Sequence, residues 1–340
     1  MQHEVLVKQD LLDNKGKLRE PGWAKSQLFN YSRSMIRANP LRIKEWDYYL
    51  ILNDKHAVAL TIADNSYMGL ISASVLNFES GFQQTNSVMT LFPNGKFHLP
   101  VTSSVGVTEF QNRQMAMRFE PSEGKRTLEC TYKNFYQGKT LKAFFSMDQP
   151  FEDTMVIATP WKDDPKAFYY NQKINCMPCE GWYELGDERV EFGKSDTFGT
   201  LDWGRGVWTR DNTWYWGSGN GWIDGKRFGF NLGYGFGNTE AASENVLFYD
   251  GVVQKLESVV FRMPGGNEYL QPWRITSNNQ RLIFDFIPVM DRCAYTNALL
   301  ISSDQHQVFG RISGYAELDN GKRLAVKDLM CFFEKVHNIY

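Results

Sequence analysis

The segment Leu201–Trp222 reads LDWGRGVWTRDNTWYWGSGNGW and brings a carboxylate, two guanidiniums and several indoles together. Asp202 can serve as a general acid if burial raises its pKa, or as a base beside an arginine. Arg205 and Arg210 suit bidentate binding of an anionic or enolate oxygen. The indoles of Trp203, Trp214 and Trp216 can line a cavity and stabilise a developing cation. The same residue types also build structure: an Asp–Arg pair can close a barrel end, with tryptophans as its plug. In an extended chain Asp202, Trp208 and Arg210 share one face and Trp203, Arg205 and Val207 the other. Gly204 and Gly206 are able to bend that strand.

Three more polar residues join the ligand-binding candidates. Asn231 opens the Gly-rich run NLGYGFG, whose glycine spacing and context do not fit a dinucleotide loop. Glu244 sits in a loop before a strand. Glu334 follows the apolar Phe332-Phe333, either reaching into a cavity from a last strand or marking its exposed end. No Gly-x-Ser-x-Gly nucleophile elbow occurs. The five histidines form no His-x-His or His-Glu-x-x-His pair, and His306 reads as a loop histidine or as an acid or base. The five cysteines include one pair, Cys176-Met-Pro-Cys179, with no second pair to complete a zinc set. The expectation is therefore reduced thiols, no metal and no cofactor.

The bulk numbers exclude several classes. The net charge is −2 with no run of one sign, which argues against a nucleic-acid-binding face. The N-terminus carries charges throughout and no apolar core of a secretory signal. No stretch approaches the roughly 20 apolar residues of a membrane span, so the default compartment is the cytoplasm. Aromatic residues make up 15% of the 340, which suits both pleated surfaces and binding cavities.

The positioning elements read as short strands. Tyr48–Leu52 and Ala57–Ala63 are short β-rich runs separated by the turn-like Asn53-Asp54-Lys55. Leu70–Phe78 alternates apolar with small or polar residues, Met115–Phe119 and Arg126–Tyr132 continue the pattern, and Leu141–Met147 and Thr154–Ala158 follow. In the second half Trp214–Gly217, Arg227–Leu232, Val246–Tyr249, Gln254–Met263, Arg281–Pro288, Gln307–Ala316 and Lys322–Phe333 continue the style. Asp224-Gly225, Asp250-Gly251 and Asn320-Gly321 mark hairpin turns. One short helix is expected over Tyr31–Ala38. The class is all-β, with two consecutive antiparallel barrels or sandwiches and few helices. The division falls between about Trp161 and Ser195, where Pro, Asp and Gly concentrate, giving domains 1–180 and 181–340.

Gly206-Val207-Trp208 resembles the Gly-x-Trp signature of lipocalin-like barrels. That likeness implies a plug tryptophan packed on an arginine of the final strand, here Arg311 or Arg323. Asp202-Trp-Gly-Arg-Gly206, Trp214-Tyr-Trp216, Gly229-Phe-Asn-Leu-Gly233, Phe309-Gly-Arg-Ile-Ser-Gly314, Gly22-Trp23 and Glu45-Trp-Asp-Tyr-Tyr49 together resemble an uncharacterised bacterial domain family. That family is distantly similar to two-barrel lipocalin-like proteins such as hydroxyneurosporene synthase, a carotenoid hydratase. The resemblance implies paired β-barrels and acid-catalysed chemistry on an apolar substrate.

The leading expectation is thus a cofactor-independent acid–base enzyme, a hydratase, cyclase or isomerase, acting on a hydrophobic small molecule. Its catalytic candidates are Asp202, Arg205 and Arg210, and its ligand-binding candidates Trp203, Trp214, Trp216, Asn231, Glu244 and Glu334. A non-catalytic lipocalin-like carrier needs the aromatic lining but no poised acid. Carbohydrate binding or cleavage would use the indoles as stacking faces and a second carboxylate opposite Asp202.

Overall fold

The computed structural model describes residues 2–266, 268–298 and 301–339. Two large antiparallel sheets carry the chain, and the helical content among the described residues is two 3-10 turns, Arg33–Met35 and Pro40–Arg42. The helix expected over Tyr31–Ala38 reduces to the first of these. The seven strands that bear on the site are β1 (Ile43–Leu52), β2 (Phe168–Leu185), β3 (Phe198–Val207), β4 (Asp211–Ile223), β5 (Lys226–Tyr234), β6 (Ile301–Glu317) and β7 (Arg323–Ile339).

In the first sheet β1 pairs with β3 and β3 with β2, at the centre of a longer run of strands. In the second, β5 pairs with β4, β4 with β7 and β7 with β6. Residue 180, the expected division, lies within β2, and the first sheet takes strands up to Val207. The stretch where Pro, Asp and Gly concentrate thus contains a long central strand. Its register against β3 shifts between Ile174 and Met177, and Gly181 has a φ of 150°.

The hairpin turns show their chemistry directly. Asp224 and Gly225 have φ of 54° and 72°, and Asp250 and Gly251 have 51° and 82°. Both central residues are left-handed, as a two-residue turn matching strand twist requires. At Asn320-Gly321 only Gly321, at 81°, lies in that region. The expected strand Gln254–Met263 splits into Val252–Lys255 and Val259–Arg262.

Three apolar clusters follow from strand alternation. One fills the first sheet's interior, with Tyr49, Ile51, Leu201, Trp203 and Val207. A second fills the other sheet's interior, with Phe228, Phe230, Trp273, Phe284 and Phe333. The third lies between them and draws on both: Tyr48, Leu50 and Tyr169 from the first sheet meet Trp216, Phe309 and Phe332 from the second. Each central strand is thus buried on both faces, and one face of each looks onto the partner sheet. No helix among the described residues is long and apolar enough to cross a membrane.

Candidate functional site

Polar residues sit inside the apolar layer between the sheets. On β2, Tyr169, Asn171 and Lys173 alternate onto one face. Lys173 is in register with Asp202 of β3, and Asp202 with Tyr48 of β1. The three side chains therefore form a row facing the second sheet. Lys173 Nζ lies 2.9 Å from Asp202 Oδ1, and Asn171 Nδ2 donates to the same oxygen at 2.6 Å. The ammonium also rests 4.0 Å above the Trp216 ring of the second sheet, a cation–π contact across the interface.

The opposing wall comes from β4, β5, β6 and β7. Glu334 of β7 stands between Trp216 of β4 and Gln307 of β6 in the register. Its Oε1 accepts from Trp214 Nε1 at 2.9 Å and its Oε2 from Gln307 Nε2 at 3.0 Å. Tyr48 Oη reaches across to Gln307 Oε1 at 3.4 Å. Asn231 of β5 accepts from Trp216 Nε1 at 2.7 Å and donates to the Glu244 carbonyl at 2.9 Å. Tyr169 donates to Glu244 Oε2 at 3.1 Å, while Glu244 Oε1 is buried with no hydrogen-bond partner among the described residues.

The electrostatics follow from three carboxylates around the Lys173 ammonium, with Arg292 also acting on Glu334 and Lys255 on Glu244. Lys173 attracts Glu244 and Glu334 as well as Asp202, but it cannot neutralise all of them. Burial raises the Glu334 carboxyl to about 7, against the pull of Trp214, Arg292, Gln307 and Lys173. Burial also raises Glu244, and repulsion from Asp202 adds to it. Tyr169 is pushed well up by burial and then by the negative charge of Glu244, Asp202 and Glu334, so all three carboxylates converge on that hydroxyl. Asp202 and Glu334 each keep 8% exposure in this otherwise closed layer, whereas Lys173 and Glu244 keep 1%. All four side chains thus lie in the buried layer.

The fold brings Asp202, Trp214, Trp216, Asn231, Glu244 and Glu334 together. It does not bring Trp203, Arg205 or Arg210 to them. Trp203 and Arg205 occupy the other face of β3, inside the first sheet. There the Arg205 guanidinium lies 4.1 Å above the Trp203 ring, 3.0 Å from Asp47 Oδ1 and 2.8 Å from the carbonyls of Trp46 and Pro100. Arg210 is exposed on a bend after β3, lining a shallow surface cavity with Arg42, Lys44 and Tyr67. Trp208 is buried as a plug should be, but its neighbours are Trp46, Trp161, Tyr169 and Trp214. Arg311 instead pairs with Asp54 and Asp328, and Arg323 with Glu317.

Sequence reasoning missed Lys173, Asn171 and Tyr169, because β2 was read as a boundary. The period-two spacing of Tyr169, Asn171 and Lys173 was the available signal. The arrangement offers a protonated acid near neutrality, a carboxylate held by an ammonium, and an aromatic surround that favours apolar molecules.

No curated protein matches this sequence. Among solved structures, kievitone hydratase from Nectria haematococca superposes with a TM-score of 0.52 at 10% identity, over 98% of each chain. A protein assigned as AttH from Nitrosomonas europaea gives 0.51 at 10% identity, over 90% of this chain and 95% of that one. At such identities these likenesses establish a shared two-sheet fold. The family model of a domain of unknown function, DUF2804, matches residues 2–340, and the chain belongs to that family.

Proposed function

We propose that the protein is a proton-transfer enzyme of the hydratase, cyclase or isomerase kind, acting on a hydrophobic small molecule between the two sheets. The observation that carries this reading is Glu334, a buried carboxyl pushed up to about 7, beside Trp214 and within the field of Lys173. An acid with a pKa near the working pH is the efficient proton donor. In the hydration form, Glu334 gives its proton to an alkene carbon and the π pair becomes the new C–H bond. The cation left at the neighbouring carbon faces the Trp214 indole, since Lys173 occupies the Trp216 face. Water adds there, and its surplus proton passes to the Asp202 carboxylate. Asn171 and Lys173 hold Asp202 in place. The shared fold with kievitone hydratase agrees with this reading as an analogy of fold.

The test begins with native mass spectrometry to identify the small molecule the protein carries. That molecule and its close alkenes are then incubated with the protein in D2O. Wild type is expected to place a deuteron on carbon. Glu334→Gln is expected to slow this about 100-fold or more while remaining folded, following the usual worth of a general acid. An undiminished rate in Glu334→Gln, or a ligand carried with no deuterium uptake by wild type, overturns the proposal; the latter result would make the protein a carrier.

A further inference from the structure

The end of the second sheet holds a cluster unrelated to the carboxylate layer. The strand Leu282–Ala298 pairs with β6 so that Cys293 lies opposite His306, with Asp291 two residues before the cysteine. Residues two apart share a face, and a directly opposed residue joins it. Arg292 and Gln307 take the other face, toward the first sheet: Arg292 donates to Ser74 Oγ at 2.9 Å. One ligand atom from each of Asp291, Cys293 and His306 lies within 4.8 Å of the others.

Both nitrogens of the histidine face carboxylates, and its ring is packed. Its ring stacks on Tyr269, with centroids 3.8 Å apart and planes 17° apart, which fixes the ring plane. Nδ1 lies 2.7 Å from Asp291 Oδ2, and Nε2 lies 3.3 Å from Asp304 Oδ1. Asp291 Oδ1 is buried with no hydrogen-bond partner among the described residues. Cys293 is a free, exposed thiol.

We propose that Asp291, Cys293 and His306 bind one zinc-class divalent cation, with a fourth position left for solvent or a ligand. A donor set of one sulfur, one imidazole nitrogen and one carboxylate oxygen suits this borderline-soft ion; calcium and magnesium want oxygen alone. Tetrahedral zinc places its donors roughly 3.3–3.6 Å apart, given bonds of about 2.0–2.3 Å. Side-chain rotation would widen the 2.7 Å Nδ1–Oδ2 pair and bring the donors, now all within 4.8 Å of one another, to that spacing. The ion replaces the proton between Asp291 Oδ2 and His306 Nδ1. The Cys293 thiol ionises and releases its proton. The imidazole takes the tautomer with hydrogen on Nε2, which donates to Asp304. This carboxylate–histidine–metal arrangement fixes the ring and strengthens the ligand. Binding releases one proton when the imidazole starts neutral and two when it starts as imidazolium.

The whole chain, stripped with a chelator, is titrated with Zn2+ against a chromophoric competitor, and separately with Co2+ to record the thiolate–cobalt absorption. One equivalent is expected, with the thiolate band present. Cys293→Ser and His306→Ala should each weaken zinc at least 100-fold and Cys293→Ser should abolish the band. Asp304→Asn should weaken zinc about 10-fold, as partners of ligands do. Glu334→Gln, in the other layer, should leave affinity unchanged. Less than half an equivalent bound by wild type, or a less than tenfold loss in either Cys293→Ser or His306→Ala, overturns the site. Because Cys293 is exposed, its variant is not threatened by misfolding.

Discussion

At the scale of single residues, Glu334 makes the stability of the protein depend on pH. Its carboxyl is raised from an ordinary 4.5 to about 7 in the folded chain. Between those values the folded state holds a proton that the unfolded state has lost. Stability therefore falls as pH rises from about 4.5 to about 7 and levels off above that. The shift corresponds to about 3 kcal/mol at most. Glu334→Gln removes the titration while keeping an acceptor for Trp214 Nε1. Denaturant unfolding at pH 5 and pH 8 should show wild type losing stability relative to Glu334→Gln by a few kcal/mol. Glu244 also rises with burial, but it is present in both proteins and cancels in the comparison. Equal losses in the two proteins would show that Glu334 does not hold its proton in the fold.

At the scale of elements, the Asp202-Trp-Gly-Arg-Gly206 run is a strand whose glycines are spaces. A Cβ on Gly204 would stand 2.0 Å from the Trp46 ring, and one on Gly206 would stand 2.5 Å from the Phe168 carbonyl oxygen. The first contact is with a side chain and the second with the backbone of β2, which cannot turn aside. Gly204→Ala should therefore destabilise the protein by about 1–3 kcal/mol, the usual range for an overfilled site, and Gly206→Ala by at least as much. Replacing Trp46 by Leu in the Gly204→Ala protein should recover part of the loss, since the two residues share one space. Thermal melting of the two single variants and the double variant checks this; strictly additive losses would mean that the indole is not what Gly204 admits.

The same strand shows what was readable in advance. Alternation placed Asp202, Trp208 and Arg210 on one face and Trp203, Arg205 and Val207 on the other; the faces are so divided except for Arg210, which lies exposed on the bend after the strand. The Asp-Gly turns and most strands were legible because period-two patterning and turn chemistry are local. The pairing of Asp202 with Lys173 was not, because the two lie on strands joined only in the folded sheet. Arg205 was chemically the more obvious partner, yet strand parity sends it to Asp47. β2 escaped notice for a physical reason: it is buried on both faces and carries polar residues on both, Asn171 and Lys173 on one and Gln172 on the other, so apolar and polar residues do not alternate cleanly. The cysteine and histidine opposed across the Leu282–Ala298 and β6 pairing are likewise distant in sequence.

At the scale of the molecule, the layer between the sheets decides how the two halves unfold. Its contacts are not only apolar. Lys173 rests on Trp216, Tyr169 binds Glu244, and Tyr48 reaches Gln307, each joining the first sheet to residues on the second side. Polar pairs buried this way are expensive to break singly, because the partner left behind has lost its counterpart without regaining water. Lys173→Met leaves Asp202 buried without its ammonium and removes the cation from Trp216. A loss of about 3–5 kcal/mol is expected, the range for a buried pair broken on one side. If the sheets unfold as one unit, that loss lowers the hydrogen-exchange protection of core amides in both, including those of β7 far from the substitution. Loss of protection confined to β1, β2 and β3 would instead mean that the sheets open separately. The carboxylate layer would then be a contact between two independent bodies, and a ligand could enter by parting them. Measuring exchange in wild type and Lys173→Met distinguishes these outcomes, and with them whether access to Asp202 and Glu334 requires opening of the whole fold or only a parting of the sheets.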